Sequence, residues 1–330
     1  MVKLFRHLVR LLCTGLVMAA ACTAGAQSAT SYPSKPVRII VPTVPGGASD
    51  VIARLVSEKF FREMGQNFVV DNRGGGDGII GTGAVARAAA DGYTLLLTTD
   101  SFLFNHWLHT DLPYDSLKDF TLISPLTRAE TVLTVHPSVA ANNLRDFITY
   151  ARANPGKLNA ASGSLLGVVK NNWFMNLTGT KLTNVNYKGG GPAIVDLLAG
   201  NVQVVIFTAS VVLQHINAGK LKALAISGDR RDSRLPDVPT FAEGALKEFD
   251  PAGPLQMPFL APSRTPRNIM EKLNAQVRRV LADPEVIGWL SKQGLAPVIM
   301  TAAESEKLLP AEMARYGKLI KDAGVKPENK

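Results

Sequence analysis

The chain has 330 residues, a formal net charge of +9, and 46% hydrophobic residues. That is enough apolar material for a large core and more than one hydrophobic unit. Its Lys and Arg are scattered rather than clustered, which argues against a nucleic-acid partner, and no stretch beyond the leader is long and apolar enough to cross a membrane.

In chain order, Met1–Arg10 carries Lys3, Arg6 and Arg10 with no acid. Leu11–Ala21 is a short apolar run, and Ala24-Gly25-Ala26 is a small-x-small step. This pattern predicts a secretory signal peptide over 1–26, cut before Gln27. Lipidation at Cys22 is the competing reading, weakened because Ala19-Ala20-Ala21 lacks the branched apolar residue such sites favour. Both cysteines, Cys13 and Cys22, fall in this leader, so the mature chain is expected to carry neither disulfide nor thiol chemistry.

The rest alternates strand-like and helix-like patterns. Strands are predicted at 37–42 (VRIIVP), 68–71, 93–99 (YTLLLTT), 181–186, 202–207 and 221–227. Helices are predicted at 50–64, 79–90, 144–153, 191–198, 266–282 and 304–323. The first helix places Ile52, Leu55, Val56 and Phe60 on one face and stops at Gly65. Thr265-Pro266 reads as an N-cap and first turn. Such alternation implies an α/β fold with mainly parallel sheets covered by helices on both faces. Val132–Ser138, ending in His136-Pro137, and Asp232–Thr240, rich in proline and charge, read as crossings between two lobes. With hinges near 132–138 and 236–240, residues 27–131 plus 240–330 form lobe 1 and 139–235 form lobe 2. Ligands are then expected in the cleft, at the carboxyl ends of the strands.

The stretch VPTVPGGASDVIARL (41–55) breaks a strand at Gly46-Gly47 and restarts as a helix capped by Ser49 or Asp50. Glycines allow close backbone approach, and first-turn N–H groups with the helix dipole favour an anion. An ordinary strand-to-helix turn has the same spacing. Gly76-Asp77-Gly78-Ile79-Ile80-Gly81 is a literal G-x-G-x-x-G after a strand. Asp77 places negative charge where a pyrophosphate would sit, and an exported chain meets little free dinucleotide, so no cofactor is expected. There is no Gly-Lys-Ser/Thr phosphate loop and no G-x-S-x-G elbow, and Ser162-Gly163-Ser164 only loosely resembles the latter. His106 and His109 lack the further ligands of a metal site and read as core or surface residues. Glu304 and Glu306 read as solvated. No catalytic set emerges, and an enzyme is not expected.

Eight motifs in order resemble the Bug-type periplasmic solute-binding proteins, the receptors of tripartite tricarboxylate transporters. They are YPSKPVRIIVPTVPGGASD (32–50), DNRGGGDGIIG (71–81), ADGYTLLLTT (90–99), LPYDSLKDF (112–120), VHPS (135–138), NYKGGGPAIVDLLAGNV (186–202), INAGKLKALAIS (216–227) and LPDVPT (235–240). The resemblance spans 32 to about 327. It implies a type II periplasmic-binding-protein fold, with two doubly wound lobes closing on a small carboxylate in the cleft. It implies a monomer that hands its ligand to a membrane permease. The ligand residues it implies are Pro45, Gly46, Gly47, Ala48, Ser49 and Asp50 from the first loop, Thr99 and Ser101 after the third strand, and Ser162, Gly163 and Ser164 from the other lobe.

Against the family pattern, Leu165-Leu166-Gly167-Val168-Val169-Lys170 replaces a hydroxyl-rich stretch, and Gln203 and Phe207 stand where aspartates are common. A second-lobe wall of Leu165, Leu166 and Phe207 suits an aromatic or longer aliphatic carboxylate. Placement of these three in the core is the alternative. Lys170 or Arg73 could pair with a carboxylate, or simply lie on the surface. The sequence leaves a second function open, in which the ligand is presented to a sensor kinase instead of a permease. A third, an exported hydrolase, has no residue set to support it.

Overall fold

The computed structural model describes residues 32–187, 189–253 and 255–325, without the side chain of Leu165. The expected signal peptide and both cysteines lie outside the described residues. The first lobe opens with β1 (Val37–Val41), α1 (Ala48–Met64), β2 (Phe68–Asn72), α2 (Ile79–Ala86), β3 (Thr94–Leu97), α3 (Ser101–Leu108) and β4 (Phe120–Pro125). After the short β5 (Thr127–Arg128), the second lobe contains β6 (Thr131–Val135), α4 (Leu144–Ala153), β7 (Asn159–Ser162), α5 (Leu165–Thr178) and β8 (Thr183–Asn186). It continues with α6 (Gly190–Ala199), β9 (Val204–Thr208), α7 (Ala209–Asn217) and β10 (Lys222–Ile226). The chain then returns through β11 (Pro258–Pro262), α8 (Arg267–Ala282), α9 (Pro284–Lys292), β12 (Ala296–Pro297) and α10 (Ala302–Asp322).

Two five-stranded sheets result, ordered β2-β1-β3-β11-β4 and β10-β6-β9-β7-β8. β1 runs parallel to β2 and β3, and β7 parallel to β8 and β9. One strand in each sheet is reversed. β11 is antiparallel to both β3 and β4, and β6 to both β9 and β10. Each reversed strand is the one that arrives from the other lobe. It enters its sheet at the cleft end, where the other strands finish, and so must run against them. Successive residues of one strand serve opposite cores: Ile39 packs with Phe60, Val277 and Leu290, while Ile40 packs with Phe102, Leu260 and Met313. Leu133 and Val132 divide the second lobe's two cores in the same way. Burial on both faces explains why these strands read as continuous apolar runs.

The crossings sit outside the proline-marked segments. Val132–Val135 is strand β6 of the second sheet, and Phe241, Leu246 and Phe249 pack in the second lobe's core. Leu255 and Met257 already belong to the first lobe's cores. The chain therefore passes between lobes near 126–130 and 250–257. Proline and charge at 232–240 mark a turn within the second lobe, where Arg234 bonds Asp232 and Thr240 N bonds the Glu243 carboxylate. Thr265 also differs from its expected role. Its hydroxyl is spent on Pro262 O at 2.7 Å, and Pro266 occupies the N-cap of α8. α10 starts two residues before the predicted 304, because Thr301 and Glu304 form a reciprocal capping box.

Candidate functional site

A cavity of about 710 Å³ lies between the lobes, where the carboxyl ends of β1, β2, β3 and β7 deliver their loops. Pro42, Thr43 and Val44 follow β1, and Gly74, Gly75, Asp77 and Gly78 follow β2. Asp100 and Ser101 open α3, whose Phe104, Asn105 and Leu108 extend the wall as far as His109. Ser164 and Leu166 come from the second lobe. Three helices begin at this space. Gly78 is the N-cap of α2, Asp100 that of α3 and Ser164 that of α5. Each start brings the positive end of a helix dipole, although at α3 the N–H groups of Ser101, Phe102 and Leu103 are already taken by Thr99 and Asp100.

The first loop holds its shape through its own side chains. Ser49 is buried, and its Oγ bonds Thr43 Oγ1 at 2.8 Å, so Thr43 is the residue of this pair that lines the cavity. Asp50 is also buried and accepts from Gly46 N at 2.9 Å and Arg54 Nε at 3.0 Å. The Arg54 bond above all, with help from Gly46 and Asn72, holds the Asp50 carboxyl below its ordinary range despite burial. Gly46 adopts φ +84°, where a side chain is strained. Gly47 caps α1 in extended conformation, and Ala48 is the first helical residue. Pro45, Gly46 and Ala48 are exposed at the rim next to Val44.

After β3, Thr99 Oγ1 and Ser101 Oγ bond each other at 2.8 Å, with Ser101 in the cavity wall and Thr99 behind it. Asn105 Nδ2 donates to Asp77 O at 2.9 Å and ties the glycine loop to α3. In the second lobe Ser162 is buried, and its Oγ donates to Asn186 Oδ1 at 2.7 Å, behind the cavity. Gly163 lies against the start of α6, where a Cβ would meet Gly189 C at 2.7 Å. Ser164 lines the cavity and accepts from Gly167 N at 3.3 Å. Phe207 is half-buried against the second lobe's core near Gly190 and is not among the described cavity-lining residues. The apolar wall is instead Val44, Phe104, Leu108 and Leu166.

Sequence reasoning missed Asp100, Phe104, Asn105, Leu108 and His109. The signal that could have found them is Asp100-Ser101 ahead of FLFNHWL, an acid and a hydroxyl opening an apolar helix. Burial pushes the Asp100 carboxyl up, and the positive charge of Lys170 on α5 opposes that shift. Burial pushes the Lys170 ammonium down, with Asp100 opposing in turn. Arg73 pairs with Asp71 at 2.9 Å at the surface. Among the described residues no group of three or more His, Cys, Asp or Glu could hold a metal ion, and no helix is long and apolar enough to cross a membrane.

With this geometry in place, the signature of the tripartite tricarboxylate transporter family receptor matches residues 52–325. The chain belongs to this receptor family. Protein BugT of Bordetella pertussis is 36% identical over 325 residues, covering 97% of this chain and 99% of BugT. Among solved structures, Rpa4515 of R. palustris with adipate has a TM-score of 0.73 at 31% identity, covering 90% of this chain and 100% of that one. MatC from Rhodopseudomonas palustris with bound malate has a TM-score of 0.67 at 28% identity, covering 88% of this chain and 100% of that one. The receptor thus shares their two-lobed α/β fold, with its cavity at the strand ends.

Proposed function

We propose that this receptor is exported to the periplasm, captures a small carboxylate between its lobes and delivers it to a membrane permease. The observation that carries this reading is the convergence of three helix N-termini, those of α2, α3 and α5, on one cavity. Such termini hold a carboxylate without any full positive charge in the wall. The apolar surface of Val44, Phe104, Leu108 and Leu166 suits a ligand with a hydrocarbon or ring body over a compact, fully polar acid. Adipate and malate in the related structures are both small carboxylates. The basic, apolar, small-x-small leader supports export, and the family supports the permease. The role is binding, not catalysis.

A thermal-shift screen of the mature protein against mono-, di- and tricarboxylates and aromatic acids tests this. A ligand at about 100 times its dissociation constant adds about 2.7 kcal/mol of stability. Longer aliphatic or aromatic acids are expected to shift the melt most. A shift with citrate or aspartate alone removes the apolar-body half of the reading, and no shift with any acid removes the carboxylate half.

A further inference from the structure

The side chains of the cavity carry the wrong charge for a doubly anionic ligand. Asp77 and Asp100 both line it, and no Lys or Arg is among its described lining residues, so His109 is the lone basic side chain there. The two acids differ in setting. Asp77 is exposed on the glycine loop, with its main chain at φ 51°. Asp100 is half-buried between the end of β3 and the first turn of α3, at the same end of the cavity as Ser101 and Phe104.

The Asp100 carboxyl meets only the main-chain N–H groups of Asp100 and Ser101, with the charges of Lys170 and Arg315 acting from farther off. Its side chain makes no cap hydrogen bond to α3. None of the ion pairs within 4.0 Å among the described residues includes it. Lys170 acts on it only from farther off, and no ion pair within that distance includes Lys170 either. Lys170 stands on α5 one turn beyond Leu166, outside the cavity lining. A half-buried carboxylate with no close cation, facing a ligand space, raises the cost of any second ligand carboxylate nearby and favours a cationic donor. The helix N-termini supply positive potential for one acid group. They do not cancel two wall carboxylates as well.

We propose that Asp100 is a specificity-determining residue that receives a protonated amine, making the ligand an amino-carboxylate. The N-termini of α2 and α5 hold its acid end, the wall of Phe104, Leu108 and Leu166 covers its hydrocarbon body, and Asp100, at the start of α3, takes its ammonium. This rests on the carboxylate reading above and goes beyond it by fixing the chemistry of the second end. The burial that pushes the Asp100 carboxyl up fits the same picture, since an arriving ammonium offsets the hydration that the charged carboxylate loses there.

The test is a matched series of one chain length, with hexanoate, its ω-amino derivative and adipate titrated calorimetrically into the full mature protein. The ω-amino acid is expected to bind about tenfold or more tighter than either of the others. Asp100→Asn is expected to bring all three within about threefold of one another. Adipate binding the unaltered protein as tightly as the amino acid overturns the proposal, as does an amine preference that survives in Asp100→Asn. Should that variant fail to fold, the ranking by the unaltered protein still decides. If none of the three binds and the wider acid panel is also silent, the carboxylate reading itself falls. Binding of hexanoate or adipate with no gain from the amine removes only the role of Asp100.

Discussion

The side-chain amide of Gln256 grips the main chain of Ala129 from both sides. Its Oε1 accepts from Ala129 N at 2.6 Å, and its Nε2 donates to Ala129 O at 3.1 Å. Ala129 lies on the outgoing crossing and Gln256 on the returning one, so one side chain sets the spacing of both connections between the lobes. The main chain of Gln256 also accepts from Asp100 N at 3.0 Å, which links this clamp to the cavity wall. Gln256→Ala removes these side-chain bonds and a third to Ala252 O. It is expected to lower unfolding stability by about 1–3 kcal/mol in urea titrations. Ligand affinity is expected to fall with it, because the crossings no longer fix how the lobes meet.

Ser49 acts at one remove from any ligand. Its hydroxyl is buried against Thr43 Oγ1, and Thr43 is the residue of this pair that reaches the cavity. Ser49→Ala leaves Thr43 free to rotate and α1 intact. The expected result is a loss of about 1 kcal/mol in ligand binding, roughly fivefold in dissociation constant, with a melting temperature close to that of the parent. Thr43→Val removes the cavity hydroxyl itself and is expected to weaken binding at least as much. Affinity unchanged from the parent in both variants would mean that this hydroxyl pair plays no part in the site.

Elements with one apolar face are easily read from such a sequence. Helix α1 buries Ile52, Val56 and Phe60 against the first sheet and stops at Gly65 in the left-handed region, as its spacing predicts. Helix α5 was hidden for the opposite reason. It packs between lobes, with Val169 in a first-lobe core and Phe174 in a second-lobe core, so its apolar residues go round the helix with no single stripe. Strand β11 begins and ends in proline, which disguises a central strand as a loop. The same limits apply to the site. Ser101 and Ser164 came from the family resemblance, and both line the cavity. Asp100-Ser101 ahead of FLFNHWL marks the start of a helix, but which of its side chains enter the cavity depends on the angle at which α3 leaves β3, and nothing local in the sequence encodes that angle.

Asp50 gives the first loop a defined pH response. Its carboxyl is held below the ordinary value chiefly by Arg54 and further by Gly46 N. A depressed folded-state value means the unfolded chain binds the proton more readily. The stability from Asp50 is therefore present above the ordinary carboxylate value of about 4 and is lost as pH falls through the lower folded value. Asp50→Asn is expected to reduce the melting temperature at neutral pH and to flatten its decline in acid. Melting curves from about pH 3 to 7 on both proteins check this, and parallel declines would show that Asp50 does not drive the acid limb.

The two lobes are also joined far from the crossings. Asn172 Nδ2 on α5 donates to Ala323 O at 2.9 Å, and Asn176 on the same helix donates to Asp322 O. Those carbonyls end α10, where a helix leaves acceptors without partners of its own. Asn172 is held in place from its other side, accepting from Asn184 Nδ2 at 2.7 Å, while Asn184 accepts from Asn171 at 2.9 Å. A second-lobe asparagine network thus caps a first-lobe helix, and the contact exists only while the lobes keep this mutual placement. Replacing both Asn172 and Asn176 with alanine removes the two bonds to the end of α10 and the one from Asn184, three in all, and leaves the main-chain pairing of each sheet in place. The ligand-free protein is then expected to populate a more open form, with a larger radius of gyration by small-angle X-ray scattering. Affinity is expected to fall about tenfold, because a ligand that needs the closed form binds in proportion to how much of it exists. At saturating ligand the scattering curves of the two proteins should coincide. Unchanged scattering and unchanged affinity in the double variant would show that these bonds follow closure without helping to hold it.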